Sequence, residues 1–357
     1  MPAFQRRARS DVQPQSEAVR GGERGPGLGN GFVASLLNRG GQGHDEEREA
    51  LGDKLELLHR AHGQISTEDT ALLVAHTRLG VRLDQLSVQV GDGRVSQLEE
   101  AVDQLDAAMG QLVVATRTVI QLRAAEGTER TVPDDVSSLY VNGATRGLTD
   151  SMGEAQKLAD IRGSDVGLVH NESVNRWADY AETDDQRDEL GKGGSTNSEE
   201  SQVLAAEIER LMGSGQRVDI VGHSQGLLFG AEAMHQLGED EDKRGDLDDN
   251  VHMTGLGSAV DASKGQLPEW YDNARFIDER EDVVARLFGG RGTPDQDNFE
   301  GMVNQSEEGG IENLVFDDSR FEGMFGISLG GHDSDTYFDN EDSRSALAAN
   351  PFEQTAP

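Results

Sequence analysis

Cysteine is absent from all 357 residues, which excludes disulfides and any cysteine-based redox or metal site. Lysine is nearly missing as well: Lys54, Lys157, Lys192, Lys243 and Lys264 stand alone among arginines. Basic charge of either kind is outnumbered, 32 residues against 67 acidic ones, for a net charge of -35. Such a surface repels nucleic acid and anionic membranes over most of the molecule, so binding to a phosphate backbone is not expected. Acidic, lysine-poor surfaces also keep halophilic proteins soluble in strong salt, and salt adaptation is the expected setting, although high-GC coding produces a similar arginine bias. No stretch reaches the roughly 18 apolar residues that would span a bilayer. The basic amino terminus MPAFQRRARSDVQPQ leads into no apolar h-region. The expected protein is therefore soluble, cytoplasmic as synthesised and without a cleaved signal peptide, any export following a non-classical route.

Residues 1–43 are rich in Gly, Arg, Gln and Pro, lack hydrophobic periodicity, and read as a disordered, solvated tail. Within the tail, GPGLGNGFVASLLNR (25–39) sets a Gly-Asn turn before a short apolar helix and faintly resembles the leader segments of effectors loaded into contractile injection systems. Within a helical region placed at 44–130, the pattern is helical from about 45 to 124. Leu51, Leu55 and Leu58 form one stripe, and Leu72, Leu79, Leu83 and Leu86 a second. A third, Leu98, Val102, Leu105, Met109, Leu112 and Thr116, alternates steps of four and three, the seam of a coiled coil or bundle. Breaks at Gly63-Gln64 and Gly91-Asp92-Gly93 separate three helices. An α-helical hairpin or small bundle is predicted, with docking or self-association as its role.

After Pro133 short apolar strands alternate with helices. SSLYVNG (137–143) is followed by a helix from Thr149 to about Asp160, then by VGLVHN (166–171) and a helix opened by a Thr196-to-Glu199 capping box. RVDIVGH (217–223), a helix to about 237, VHMTGLGSAV (251–260) and ARFIDE (274–279) continue the series. Alternation of this kind predicts an α/β domain over 131–345 with a doubly wound, mostly parallel sheet. Its site belongs at the carboxyl ends of the strands. Residues 346–357 read as a disordered carboxyl terminus.

A G-x-S-x-G pattern occurs twice, at Gly222-His223-Ser224-Gln225-Gly226 and at Gly326-Ile327-Ser328-Leu329-Gly330. A nucleophilic serine on such a turn needs a buried strand running into it and a helix leaving it, so that the bend projects the hydroxyl and the helix amino terminus favours developing negative charge. Ser224 has RVDIV before it and LLFGAEAMHQL after it; Ser328 has a glycine-rich stretch before it and polar GGHDSDTY after it. Ser224 is the candidate nucleophile, against the alternative of a serine in a structural turn.

Taken together, SLYVNGATRG, VGLVHN, VDIVGHSQG, FIDEREDVVARLFGG and SLGGHDSDTY resemble the α/β-hydrolase superfamily in its lipase and esterase branch, over residues of about 136–340. The resemblance implies the α/β-hydrolase fold and a triad in the order Ser, then Asp or Glu, then His, each on a loop after a strand. One departure is Leu227, where many relatives carry a second glycine; a side chain there is expected to narrow the pocket. A serine hydroxyl needs an imidazole base and a carboxylate to orient it. Three histidines follow Ser224: His235 falls well down a helix, His252 begins a strand, and His332 lies in a polar loop after the candidate strand NLVFDD (313–318). His332 is the candidate base. For the acid, Asp282 precedes Val-Val-Ala-Arg-Leu as the acid of lipase-like relatives often does, with Asp278 as the alternative. The oxyanion donors implied are the backbone amides of Gln225 and Ala144, with Asn142 and Gly143 shaping the turn.

DEDKRGDLDDN (240–250) fails as a calcium loop because Arg244 takes a ligand position and Val251 stands where the bidentate glutamate belongs; it reads as a solvated acidic loop. Segments 172–194 and 289–310 are lid candidates, the first equally readable as a surface excursion. The expected activity is hydrolysis of carboxylic esters, with an ester or lipid as substrate and neither cofactor nor metal required. Acyl transfer by the same residues, and a non-enzymatic interaction or delivered effector protein acting through its helices, remain the alternatives.

Overall fold

The computed structural model describes residues 45–91, 98–144, 146–172, 183, 185–279, 303–305, 312–316 and 334–352. The fold is of the α/β class. Among the described residues three helices come first, α1 (Asp45–His62), α2 (Thr70–Gly91) and α3 (Glu99–Ala115). Strands and helices then alternate: β1 (Ile120–Leu122), β2 (Val136–Val141), α4 (Leu148–Arg162), β3 (Val166–Val169), α5 (Glu199–Gly213), β4 (Arg217–His223), α6 (Gly226–Leu237), α7 (Arg244–Asn250), β5 (Val251–Leu256) and β6 (Ala274–Glu279). Strands β7 (Val303–Gln305) and β8 (Glu312–Phe316) and helices α8 (Ser334–Asp339) and α9 (Glu341–Ala348) complete the described elements.

Among the described residues one sheet of eight strands has the order β1-β3-β2-β4-β5-β6-β8-β7. The six inner strands are mutually parallel, and the two short edge strands, β1 and β7, pair antiparallel. Because side chains alternate along a strand, strands β2 to β6 feed two cores. Leu139, Val141, Val218, Ile220, Met253 and Phe276 pack with α5 and α6 on one face. Tyr140, Val221, Leu256 and Ile277 pack with α4, α8 and α9 on the other. Both faces are covered, as parallel sheets require.

The amino-terminal helices share the second of these cores. Leu55 and Leu58 of α1, Leu83 and Leu86 of α2, and Val102 and Met109 of α3 lie in one apolar cluster with Met152 and Leu158 of α4. Each such fully buried side chain contributes on the order of 1.5–3 kcal/mol. Asp69 Oδ1 caps α2 by accepting from the amides of Ala71 and Leu72 at 2.8 and 3.0 Å. The outer face of α2 leaves Leu73, Val74, Val81 and Val88 exposed. Among the described residues no helix is long and apolar enough to cross a membrane.

Several local expectations change. The region from 44 to 130 is not helical throughout, because Ile120–Leu122 forms the edge strand β1. The cap of α5 is Ser198, whose hydroxyl accepts from the Ser201 amide at 3.2 Å. Thr196 turns instead to the buried Glu232 of α6, to which both its amide and its hydroxyl donate. The acidic run 240–250 folds into a 3-10 turn and α7 rather than an open loop, anchored by the buried Leu247. Ordered structure also continues past 346: α9 runs to Ala348, and the Phe352 ring lies 4.4 Å from the Arg217 guanidinium. Ser328, Asp282, His332, residues 173–182 and 184 of the first lid segment and most of the second lie outside the described residues.

Candidate functional site

Strand β4 lies between β2 and β5, with Gly222 opposite Val141 on one side and Gly255 on the other. The parallel ladder extends one residue beyond the strand, since the Ser224 amide donates to the Leu256 carbonyl at 2.9 Å. There the chain reverses. Ser224 adopts φ +53°, in the left-handed region, which costs an L-residue roughly 1–2 kcal/mol. Gln225 already has helical dihedrals, and α6 departs from Gly226. The flanking glycines are sterically required: a Cβ on Gly222 would stand 2.5 Å from the Leu227 amide nitrogen, and one on Gly226 would overlap the Val141 carbonyl. A buried strand, a strained serine and a helix amino terminus thus meet in three residues, the geometry a nucleophile elbow needs.

The turn after β2 covers this corner. A Cβ on Gly143 would stand 2.9 Å from Ser224 Cβ and 3.0 Å from His223 Nδ1, so only glycine lets the turn lie this close to the serine. Asn142, fully buried, holds the turn open. Its Nδ2 donates to the carbonyls of Gly143 and Asn171 at 3.0 and 2.9 Å, and its Oδ1 accepts from the Asn171 amide at 2.7 Å. Asn171 Nδ2 then donates to Gln225 Oε1 at 3.2 Å, and Gln225 Nε2 to Gln186 Oε1 at 3.0 Å. The Asn142 side chain is thus engaged with the backbone of the turn and of Asn171, and that of Gln225 with the side chains of Asn171 and Gln186. Backbone amides at the positive end of α6 lie beside Ser224. Asn142, Gly143, Gln225 and Ser224 are brought together, and Ala144 follows on the same turn.

Leu227 departs from its expected role. Its side chain is fully buried in the core between α6 and the sheet, where its Cδ2 closes on Gly255, and it does not narrow the site.

Asp278 lies at the carboxyl end of β6, buried, two strands across from β4. At about 4.8 Å per strand that is roughly 10 Å from the serine's strand in the plane of the sheet. Past β8 the chain returns at Ser334, the first residue of α8. Tyr337 of α8 puts its ring 6.0 Å from the His223 ring, so this helix flanks the elbow. Ser334 is wholly buried in a polar knot. Its Oγ donates to Glu154 Oε1 of α4 and accepts from Arg146 Nη2 at 2.8 Å. Arg146 Nε lies 3.1 Å from Glu154 Oε1, and the Tyr140 hydroxyl donates to Glu154 Oε2 at 2.7 Å. Burial pushes the Glu154 carboxyl above the ordinary range, against the pull of the Arg146 guanidinium.

The amino-terminal helices also reach this end of the sheet. Asp106 of α3 caps α4 from outside, its Oδ1 accepting from the Thr149 amide at 2.9 Å, where Gly147 offers no side chain of its own. Burial raises the Asp106 carboxyl, and its bonds to Thr149 oppose the shift. Just beyond β3, the buried His170 places Nε2 3.3 Å from Glu172 Oε2, both against Gly110 of α3. None of Asp106, Asn171, Gln186, Arg146, Glu154 or Ser334 stood out in the sequence. The only available signal was that Arg146, Asn171 and Ser334 fall within the segments quoted for the resemblance. No group of three or more metal-ligating side chains occurs among the described residues. Comparison with protein-family models, with curated proteins and with solved structures finds no match to this chain.

Proposed function

We propose that the chain is a serine hydrolase of carboxylic esters, built on the α/β-hydrolase fold with an amino-terminal helical layer. The observation that carries the reading is Ser224 at φ +53° between β4 and α6, with the Gly143 turn lying against it. A non-glycine residue is held in that conformation only where the surroundings over-determine it, and such residues cluster at sites of function.

In this reading the Ser224 hydroxyl attacks the acyl carbon while the His332 imidazole takes its proton, and Asp282, or Asp278 in its stead, orients and stabilises the imidazolium. The oxyanion is held by the amides of Gln225 and Ala144, each worth on the order of 10²–10³ in kcat. His332 then returns the proton to the leaving alcohol, and water repeats the cycle on the acyl-enzyme. His332 is two residues from Ser334 in sequence, at most about 7 Å of chain, and Ser334 belongs to the helix whose Tyr337 approaches His223. The excess of acid over base supports work in concentrated salt, where self-repulsion is screened.

The test is hydrolysis of p-nitrophenyl esters of increasing chain length, in low and high salt, by the wild-type protein and by Ser224→Ala and His332→Ala. Each substitution should lower kcat by ~10⁶. The acid should declare itself as whichever of Asp282→Asn and Asp278→Asn loses ~10⁴. Equal turnover by wild type and Ser224→Ala sinks the reading.

A further inference from the structure

Residues 140, 146, 154 and 334 come from four separate places: β2, the turn after it, α4 and the start of α8. They meet in a closed triangle with one outer strut. Arg146 donates to Ser334, Ser334 donates to Glu154, and Glu154 pairs back with Arg146, while Tyr140 donates to the second carboxylate oxygen. Ser334 Oγ thereby donates once and accepts once inside the triangle, and both Glu154 oxygens accept. A hydrophobic contact between α8 and α4 would hold the helix close; this arrangement also fixes its height and rotation, because each bond has a direction. Arg146 belongs to the same short loop as Asn142 and Gly143, which lie at the serine.

We propose that Arg146, Glu154 and Ser334 form a positioning unit that locks the start of α8 to the oxyanion turn, so that the two halves of the site are set by one shared guanidinium. The proposal rests on the ester-hydrolase reading for its effect on rate, but the lock itself is independent of that reading. The effect of the three residues is on where the base-bearing loop ends and on how the turn over Ser224 is held.

Arg146 is the residue to change, because its side chain keeps 24% exposure while that of Glu154 keeps 5%, so its loss is the best tolerated by the fold. Full-length Arg146→Gln, Arg146→Lys and the double substitution Arg146→Gln with Glu154→Gln are compared with wild type by kinetics on p-nitrophenyl acetate and by amide hydrogen exchange. Displacement of reacting groups by about 1 Å costs ~10²-fold. Arg146→Gln should lower kcat by ~10–100-fold with KM changed less than about twofold, and exchange over 334–339 should quicken at least ~10-fold. Arg146→Lys, which keeps the charge and loses the fork, should recover only part of kcat. The double substitution, which leaves no buried carboxylate unpaired, separates loss of the lock from loss of the fold: it should restore melting temperature without restoring kcat. Wild-type kcat and protection in Arg146→Gln overturn the proposal, as does a fall in activity that tracks only the folded fraction. Should the wild-type protein hydrolyse no ester, the hydrolase reading fails, and the exchange measurement alone decides the lock: faster exchange over 334–339 supports it, and unchanged exchange ends it.

Discussion

Replacing Ser224 by glycine should make the protein more stable than replacing it by alanine. Both substitutions remove the hydroxyl and its bonds, so their difference isolates the backbone. At φ +53° an alanine retains the left-handed penalty of roughly 1–2 kcal/mol that a Cβ imposes, and glycine removes it. Against that, glycine gives the unfolded chain extra freedom, about 0.4–1 kcal/mol. The balance favours glycine by roughly 0.5–1 kcal/mol, a melting-temperature difference of about 1–2 °C for a domain this size. Urea unfolding of Ser224→Gly and Ser224→Ala side by side measures it, with equal slopes required so that midpoints compare directly. The sign is unusual, since glycine for alanine ordinarily destabilises. Should alanine prove equal or better, Ser224 is unstrained in solution, and the inference from a held-back serine to a nucleophile loses its physical basis.

Two further outcomes follow from the layers around the elbow. Asp106→Ala should cost about 0.5–2 kcal/mol by uncapping α4, while Asp106→Asn, which caps equally well, should be near wild type in thermal unfolding; equal losses would mean that the charge rather than the cap matters. Acid should destabilise the fold from about pH 6.5 downward. Burial depresses His252, against the opposing pull of Asp219, and depresses His59, His62 and His235 as well. A group whose folded pKa lies below its unfolded value contributes stability that is fully present above the unfolded pKa and is lost as pH falls. His252→Asn should therefore flatten the slope of stability against pH between about 6.5 and 5, and an unchanged slope would show that His252 takes up its proton equally in the folded and unfolded states. Asp219 behaves in the same sense at lower pH. Burial alone would raise its carboxyl, but the Arg162 guanidinium and the 2.8 Å bond from His252 Nδ1 outweigh it and hold it well below the usual range.

How much of this was legible in the sequence depends on how local each cause is. Strands β4 and β6 coincide with RVDIVGH and ARFIDE because an inner parallel strand is apolar on both faces and stands out as a continuous run. The elbow was legible for the same reason, as strand, turn and helix adjoin in sequence. β1 was hidden because three residues on an edge, buried on alternate positions, carry too little pattern to interrupt a helical reading. The α5 cap was misplaced by two residues since Thr196 and Ser198 are both good caps, and Glu232, 36 residues from Thr196, decides between them. Leu227 points into the core because the helix phase turns that position toward Gly255, which the G-x-S-x-G pattern alone does not reveal. The Glu154 to Ser334 bond joins residues 180 apart, and Asp106 to Thr149 joins residues 43 apart. Neither leaves a local trace, since any carboxylate in so acidic a chain reads as a solvated one.

The most direct measurement is covalent labelling of the folded, full-length protein with a fluorophosphonate, followed by mass spectrometry of the adduct. The expected result is one phosphonyl group on Ser224, absent from Ser224→Ala and from heat-unfolded protein. Labelling of Ser224→Ala at the wild-type rate, or no adduct on wild-type protein that unfolds cooperatively, would contradict a nucleophile at this corner.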